Sequence, residues 1–95
     1  MAGETLHFSR HAITQMFARR ISRDDVVALV AGGETIERYD RERPYPSRLL
    51  LGFRGGRPLH IVAADDRLEL RTIVVTVYIP DPALWQADWK TRKKT

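Results

Sequence analysis

The sequence predicts an α+β domain, with two N-terminal helices packed on a mainly antiparallel sheet of about four strands and a C-terminal basic tail. Three observations predict it. Helical periodicity with cap residues runs from Ser9 to Gly33, β-branched alternating runs fill Glu34 to Ile79, and Pro and Gly pairs punctuate the second region. Helices followed by strands point to helices laid on one face of one sheet. Ninety-five residues without a repeat or a low-complexity linker are expected to make a single domain over 1–95.

Thr5 to Phe8 is short and partly apolar, either a small edge strand or a lead-in. Ser9 is a good N-cap, because its hydroxyl can accept from an orphan amide of the first turn. From there to about Arg20, Ala12, Ile13, Met16 and Phe17 form one broad apolar arc, the expected core side. His11, Gln15 and Arg19 recur at i, i+4 and i+8 as a polar stripe beside it. Ser22 and Asp25 have the spacing of a capping box, and Asp24 and Asp25 suit the positive end of a helix dipole. Val26, Val27, Leu29 and Val30 are the expected buried face of this second helix, which Gly32-Gly33 ends.

Glu34 to Tyr39 alternates weakly and looks like an outer strand, while Asp40 to Ser47 holds two prolines and is expected to be a surface loop. Arg48 to Phe53 and Pro58 to Ala64 read as strands joined at Gly55-Gly56, a hairpin signal. Leu68 to Ile79 is a long β-branched run expected at the centre of the sheet, stopped by Pro80-Asp81-Pro82. Residues 83–95 form a helix or a tail, with Trp85 and Trp89 at helical spacing before Lys90, Arg92, Lys93 and Lys94. Those tryptophans either pack on the sheet or join the lysines in a nucleic-acid-binding arm.

Sixteen basic against twelve acidic residues give a net charge of +4, which fits an RNA partner or an acidic protein. The absence of cysteine excludes disulfides, thiolate metal sites and a cysteine nucleophile, and fits the cytoplasm. No apolar run approaches membrane-spanning length, and Met1 to Thr5 lacks the regions of a signal peptide. No P-loop, dinucleotide fingerprint or H-E-x-x-H pattern is present, so no cofactor or metal is expected. A zinc site from His7, His11 and His60 would need the junction at Ser9 to gather them.

Two histidines are candidates for acid–base work, since imidazole titrates near neutrality. His11 opens the first helix, where the plain alternative is a locally bonded cap-region histidine. His60 interrupts an apolar strand and is either in a site or paired in the core. A two-residue loop at Gly55-Gly56 sets His60 opposite Leu51, with Leu49 and Phe53; a bulged three-residue loop sets it with Arg48 and Leu50. On the long strand, Ile73, Val75, Val77 and Ile79 share one expected face, and Thr72, Val74, Thr76 and Tyr78 the other. Arg48 can clamp a phosphate, and Tyr78 can orient one or stack on a base; the alternatives are an ordinary edge arginine and a half-buried tyrosine.

Together, His11, His60, Arg48 and Tyr78 suggest metal-independent RNA cleavage. One histidine would take the 2′-hydroxyl proton, the other would protonate the leaving 5′-oxygen, and arginine would stabilise the phosphorane. Arg19, Gln15 and Thr76 are the expected substrate contacts. The alternative is a non-enzymatic module of the same fold that binds RNA or a protein partner, and the apolar strands leave self-association open.

The segment Phe8-Ser9-Arg10-His11-Ala12 to Met16, followed by Arg19-Arg20-Ile21-Ser22, resembles the opening of the bacterial family known as domain of unknown function 4258. Pro46-Ser47-Arg48-Leu49, Gly56-Arg57-Pro58-Leu59-His60, Thr76-Val77-Tyr78 and Pro80 to Trp85 extend the resemblance over most of the chain. It implies a compact fold similar to the RelE-like ribonuclease toxins, toxin-type endoribonuclease activity, and an antitoxin protein as partner. The recurrent polar positions of the family correspond to His11, Arg48, His60 and Tyr78. Gln15 departs from the pattern, where an arginine or another charged residue is commoner.

Overall fold

A computed structural model describes residues 5–94; Met1 to Glu4, on which the leader reading rests, and Thr95 lie outside the described residues. The element order is β1 (Thr5–Phe8), α1 (Arg10–Arg19), α2 (Arg23–Gly32), β2 (Glu34–Tyr39), β3 (Ser47–Arg54), β4 (Arg57–Asp66) and β5 (Arg71–Tyr78). Among the described residues the sheet has five strands rather than about four, in the order β1-β5-β4-β3-β2. It is mixed. Strands β2 to β5 form an antiparallel meander, and Thr5 to Phe8 adds a parallel edge to β5. The long run expected at the centre therefore stands second from one edge, and β4 occupies the middle.

Cap chemistry determines where the helices begin. Ser9 donates its backbone N–H to Val74 O and its hydroxyl to Val75 O, and accepts from the Ala12 amide. One residue thus ends β1, caps α1 and ties both to β5. The helix closes at Arg20, in the left-handed region at φ 56°, whose N–H reaches back to Met16 O and Phe17 O. Ile21 is buried between the helices, and Ser22 and Asp25 complete the predicted capping box at the start of α2.

Both helices lie on the same sheet face. Ala12, Met16, Ile21 and Val26 pack against Leu50, Leu59, Ile61, Ala63, Val74 and Val77. Only Ala12 and Met16 of the predicted α1 arc enter this core; Ile13 is 55% and Phe17 86% exposed. On α2, Val26 is buried, Leu29 and Val30 are partly buried, and Val27 is exposed. Gly52 lets α2 approach β3, because a Cβ there would lie 2.2 Å from Leu29 Cδ2 and 3.0 Å from its Cγ.

The hairpin takes its two-residue form. Gly55 and Gly56 have φ of 56° and 81°, Arg54 pairs with Arg57, and Leu51 pairs with His60. Positive φ at both central residues matches the twist of the strands, which is why two glycines stand there. One irregularity changes the reading of β5. Val62 pairs with Thr76 but Ala63 pairs with Val74, so Val75 is the extra residue of a bulge. The predicted alternation therefore breaks: Val74 and Val77 both face the helices, while Ile73, Thr76 and Tyr78 share the opposite face.

Residues 80–94 form neither a helix nor a free tail. Pro80 is fully buried, Asp81 caps a turn by accepting from Ala83 N, and a bridge joins Trp85 to Arg92. The intervening loop is closed by Gln86 N to Thr91 O and by Asp88, which accepts from the amides of Lys90 and Thr91. Those amides hold the Asp88 carboxyl below its usual range. This strap lies across the sheet face that the helices leave uncovered. Among the described residues no helix is long and apolar enough to cross a bilayer.

Candidate functional site

His60 sits on the strap side of the sheet, in register with Tyr78 on β5. Its side chain is fully buried, and both ring nitrogens are engaged: Nε2 lies 2.8 Å from Trp89 O and Nδ1 3.1 Å from Tyr78 Oη. A carbonyl only accepts, so Nε2 carries a proton, and in the neutral ring Nδ1 accepts from the tyrosine hydroxyl. Trp85, 3% exposed, meets the imidazole edge-on at 4.6 Å between centroids, and Tyr78 does so at 5.2 Å. Burial lowers the His60 pKa and raises that of Tyr78, because each charged form would lose water.

A second polar group borders this one. Glu37 accepts a two-pronged contact from Arg92, at 3.1 and 3.2 Å, and the Tyr39 hydroxyl donates to the same carboxylate. The Arg92 guanidinium holds the Glu37 carboxyl below its ordinary range, and also lies 4.5 Å from the centre of the Trp85 ring. Lys90 reaches Glu34 at 3.1 Å. Two cations of the predicted basic tail are thus paired with carboxylates of β2.

The four residues proposed for catalysis do not converge. His60 and Tyr78 come together, and Thr76 stands on their face opposite Val62. Arg48 points to the helix side, where it forks onto Asp65 at 3.1 and 3.4 Å, with Thr72 Oγ1 donating to the same carboxylate. His11 is exposed on the first turn of α1, so the sheet lies between it and His60. In this arrangement the two imidazoles cannot serve one phosphate. Of the expected substrate contacts, Gln15 and Arg19 stay with His11, Gln15 accepting from Arg19 Nε at 3.2 Å. Among the described residues no three histidine, cysteine or carboxylate side chains gather as a metal site requires, so His7, His11 and His60 are not assembled.

A model of the family described as Domain of unknown function (DUF4258) matches residues 8–79. The chain belongs to that family. No curated protein and no solved structure matches it. The match within DUF4258 takes in His11, Arg48, His60 and Tyr78 and ends where the strap begins, so Trp85, Trp89 and Arg92 lie beyond it.

Sequence reasoning missed Glu37, Tyr39, Asp65, Arg92 and the Trp89 carbonyl. Glu37 and Tyr39 have the i, i+2 spacing of one strand face, a signal that was available. Arg92 looked like part of a solvated run, and no side-chain pattern announces a backbone carbonyl as a histidine partner.

Chemically, the His60 cluster is a closed joint in which both ring nitrogens and the Tyr78 hydroxyl are engaged. No buried side-chain polar atom among the described residues lacks a partner. The α1 flank is its opposite, with polar groups facing solvent. A cleft of about 330 Å³ also opens on the strap side, floored by Val62, Ala64, Ile73 and Val75 and walled by Pro44 and Tyr45. Arg71 braces that wall, donating to Tyr45 Oη at 3.1 Å and to Asp66 at 2.9 Å.

Proposed function

We propose that this DUF4258 protein is an RNA-binding module that contacts the phosphate backbone through the His11–Gln15–Arg19 flank of α1. One observation carries the reading: α1 contains no carboxylate, and His11 and Arg19 are exposed on a flank with the half-buried Gln15, which orients Arg19 by accepting from its Nε. A flank of cationic and amide groups follows a polyanion by charge, releasing counterions with each phosphate it neutralises. The commitment of His60 to Trp89 and of Arg48 to Asp65 favours binding over a two-histidine cleavage.

A second reading, a toxin-like metal-independent endoribonuclease, is favoured by the exposure of His11 beside that flank. His11 would then be the sole imidazole at the phosphate, with Arg19 stabilising the developing charge.

The test is anisotropy of a short labelled mixed-sequence RNA over a salt series in EDTA, followed by analysis of the RNA ends. Binding should weaken steeply with salt, and Arg19→Ala should reduce the slope of log K against log salt by about 0.7 for single-stranded RNA. An unchanged slope, or no retention at low salt, would overturn the binding proposal. Cleavage to 2′,3′-cyclic ends that vanishes in folded His11→Ala would replace it with the ribonuclease.

A further inference from the structure

The outer surface of α1 carries an apolar ridge that the fold leaves bare. Ile13 and Phe17, one turn apart, are 55% and 86% exposed. The sequence pattern would bury them, and a large aromatic almost wholly in water is a mismatch of the kind that marks a contact surface. Cations stand at both ends: Arg10 one turn before Ile13, and Arg20 at the left-handed cap. Both are exposed, and neither takes part in an ion pair among the described residues. No carboxylate occurs between Arg10 and Arg20 to offset them.

We propose that the Ile13–Phe17 ridge is a docking surface for an acidic helical segment of a protein partner, with apolar residues one turn apart and carboxylates on its flanks. The partner's apolar residues would cover Ile13 and Phe17 as facing helices do, and its carboxylates would meet Arg10 and Arg20. A second copy of the chain fits poorly, because a two-fold contact through this ridge sets arginines against arginines. RNA fits poorly too, since Ile13 offers no ring for a base. At 100° per residue the ridge and the His11–Gln15 flank lie about 100° to either side of the Ala12–Met16 seam, so the two surfaces are separate. The inference does not rest on RNA binding.

The experiment uses the full chain and a labelled synthetic peptide of leucines at i, i+3, i+4 and i+7 with glutamates between them. A second peptide of the same composition has its leucines spread around the helix. The first should bind saturably and more weakly as salt rises. Its affinity should fall about tenfold or more in Phe17→Ala, the scale of a buried aromatic anchor, and also in the double variant Arg10→Glu/Arg20→Glu. Circular dichroism should show both variants folded, as expected for exposed positions, and Phe17→Ala should retain whatever RNA affinity the wild type has. Equal binding of both peptides, no saturable binding, or indifference to Phe17→Ala would overturn the proposal. So would a dimer that Phe17→Ala dissociates in sedimentation, which assigns the ridge to self-association, or RNA binding lost in Phe17→Ala, which assigns it to nucleic acid.

Discussion

Removing the Trp85 side chain tests whether residues 80–94 are part of the folded body or an appendage to it. Trp85 is 3% exposed, packs edge-on against His60, and carries the Arg92 guanidinium over its ring. Truncating a buried tryptophan to alanine costs about 3–5 kcal/mol through lost transfer energy and the cavity left behind. A chain of this size has roughly 5–15 kcal/mol of stability in total, so Trp85→Ala should consume a large share of it. The charged contacts of the strap should contribute far less. Lys90 and Glu34 are 45% and 55% exposed, and Arg92 is 58% exposed against Glu37, so each pair is worth at most about 1 kcal/mol in water and salt. Urea unfolding followed by far-UV circular dichroism should therefore place Trp85→Ala well below Lys90→Ala and Arg92→Ala. Trp89 fluorescence in the same titration reports whether the strap leaves before the sheet melts. A cost under about 1 kcal/mol for Trp85→Ala, or an equal cost for Lys90→Ala, would refute the view that burial rather than charge holds the strap.

Two further outcomes follow from the same contacts. Burial lowers the His60 pKa from its ordinary 6.5, so the unfolded chain binds a proton there that the folded chain refuses. Stability from this group is full above pH 6.5 and falls as pH drops from there toward the folded pKa; a His60→Phe variant, whatever its absolute stability, should show a flatter profile in that window by urea titration at several pH values. Gly52→Ala should cost about 1–3 kcal/mol, because its Cβ would overlap Leu29 Cδ2 and crowd the rest of that side chain. Adding Leu29→Ala should make the Gly52→Ala change nearly neutral, and a double-mutant cycle with no coupling would show that α2 is free to shift instead.

Much of the scaffold was legible because its signals are local. Ser9 and Ser22 announce helix starts through chemistry that acts within three residues, and Gly55-Gly56 announces a hairpin turn because glycine takes positive φ freely. Both registers of His60 were open on the sequence, and the observed pairing of Arg54 with Arg57 selects one. What escaped depends on contacts distant in the chain. The Val75 bulge sits where Ser9, 66 residues away in sequence from Val75, bonds to the Val74 and Val75 carbonyls, and it moves Val77 to the helix side. Periodicity on β5 alone contains no trace of it. The failure at α1 has another origin, since helical spacing identifies apolar positions but not how many the sheet will cover.

The placement of charge connects these points to function. A reading from composition gives the basic excess to the tail, where four cations crowd into the last residues. In the folded chain Lys90 and Arg92 neutralise Glu34 and Glu37, so the sheet face beneath the strap carries little net charge to attract a polyanion. The excess that remains for solvent stands in part on α1, which has no acidic residue, while the acids opening α2 are partly offset by Arg54 on Asp25. Long-range attraction follows uncompensated charge rather than the count of basic residues. The double variant Lys93→Ala/Lys94→Ala, which leaves the Lys90 and Arg92 contacts in place, should weaken RNA binding no more than its two charges predict, whereas charge reversal at Arg19 should remove most of it. The salt dependence of the two variants, compared in one buffer, decides which surface the RNA follows.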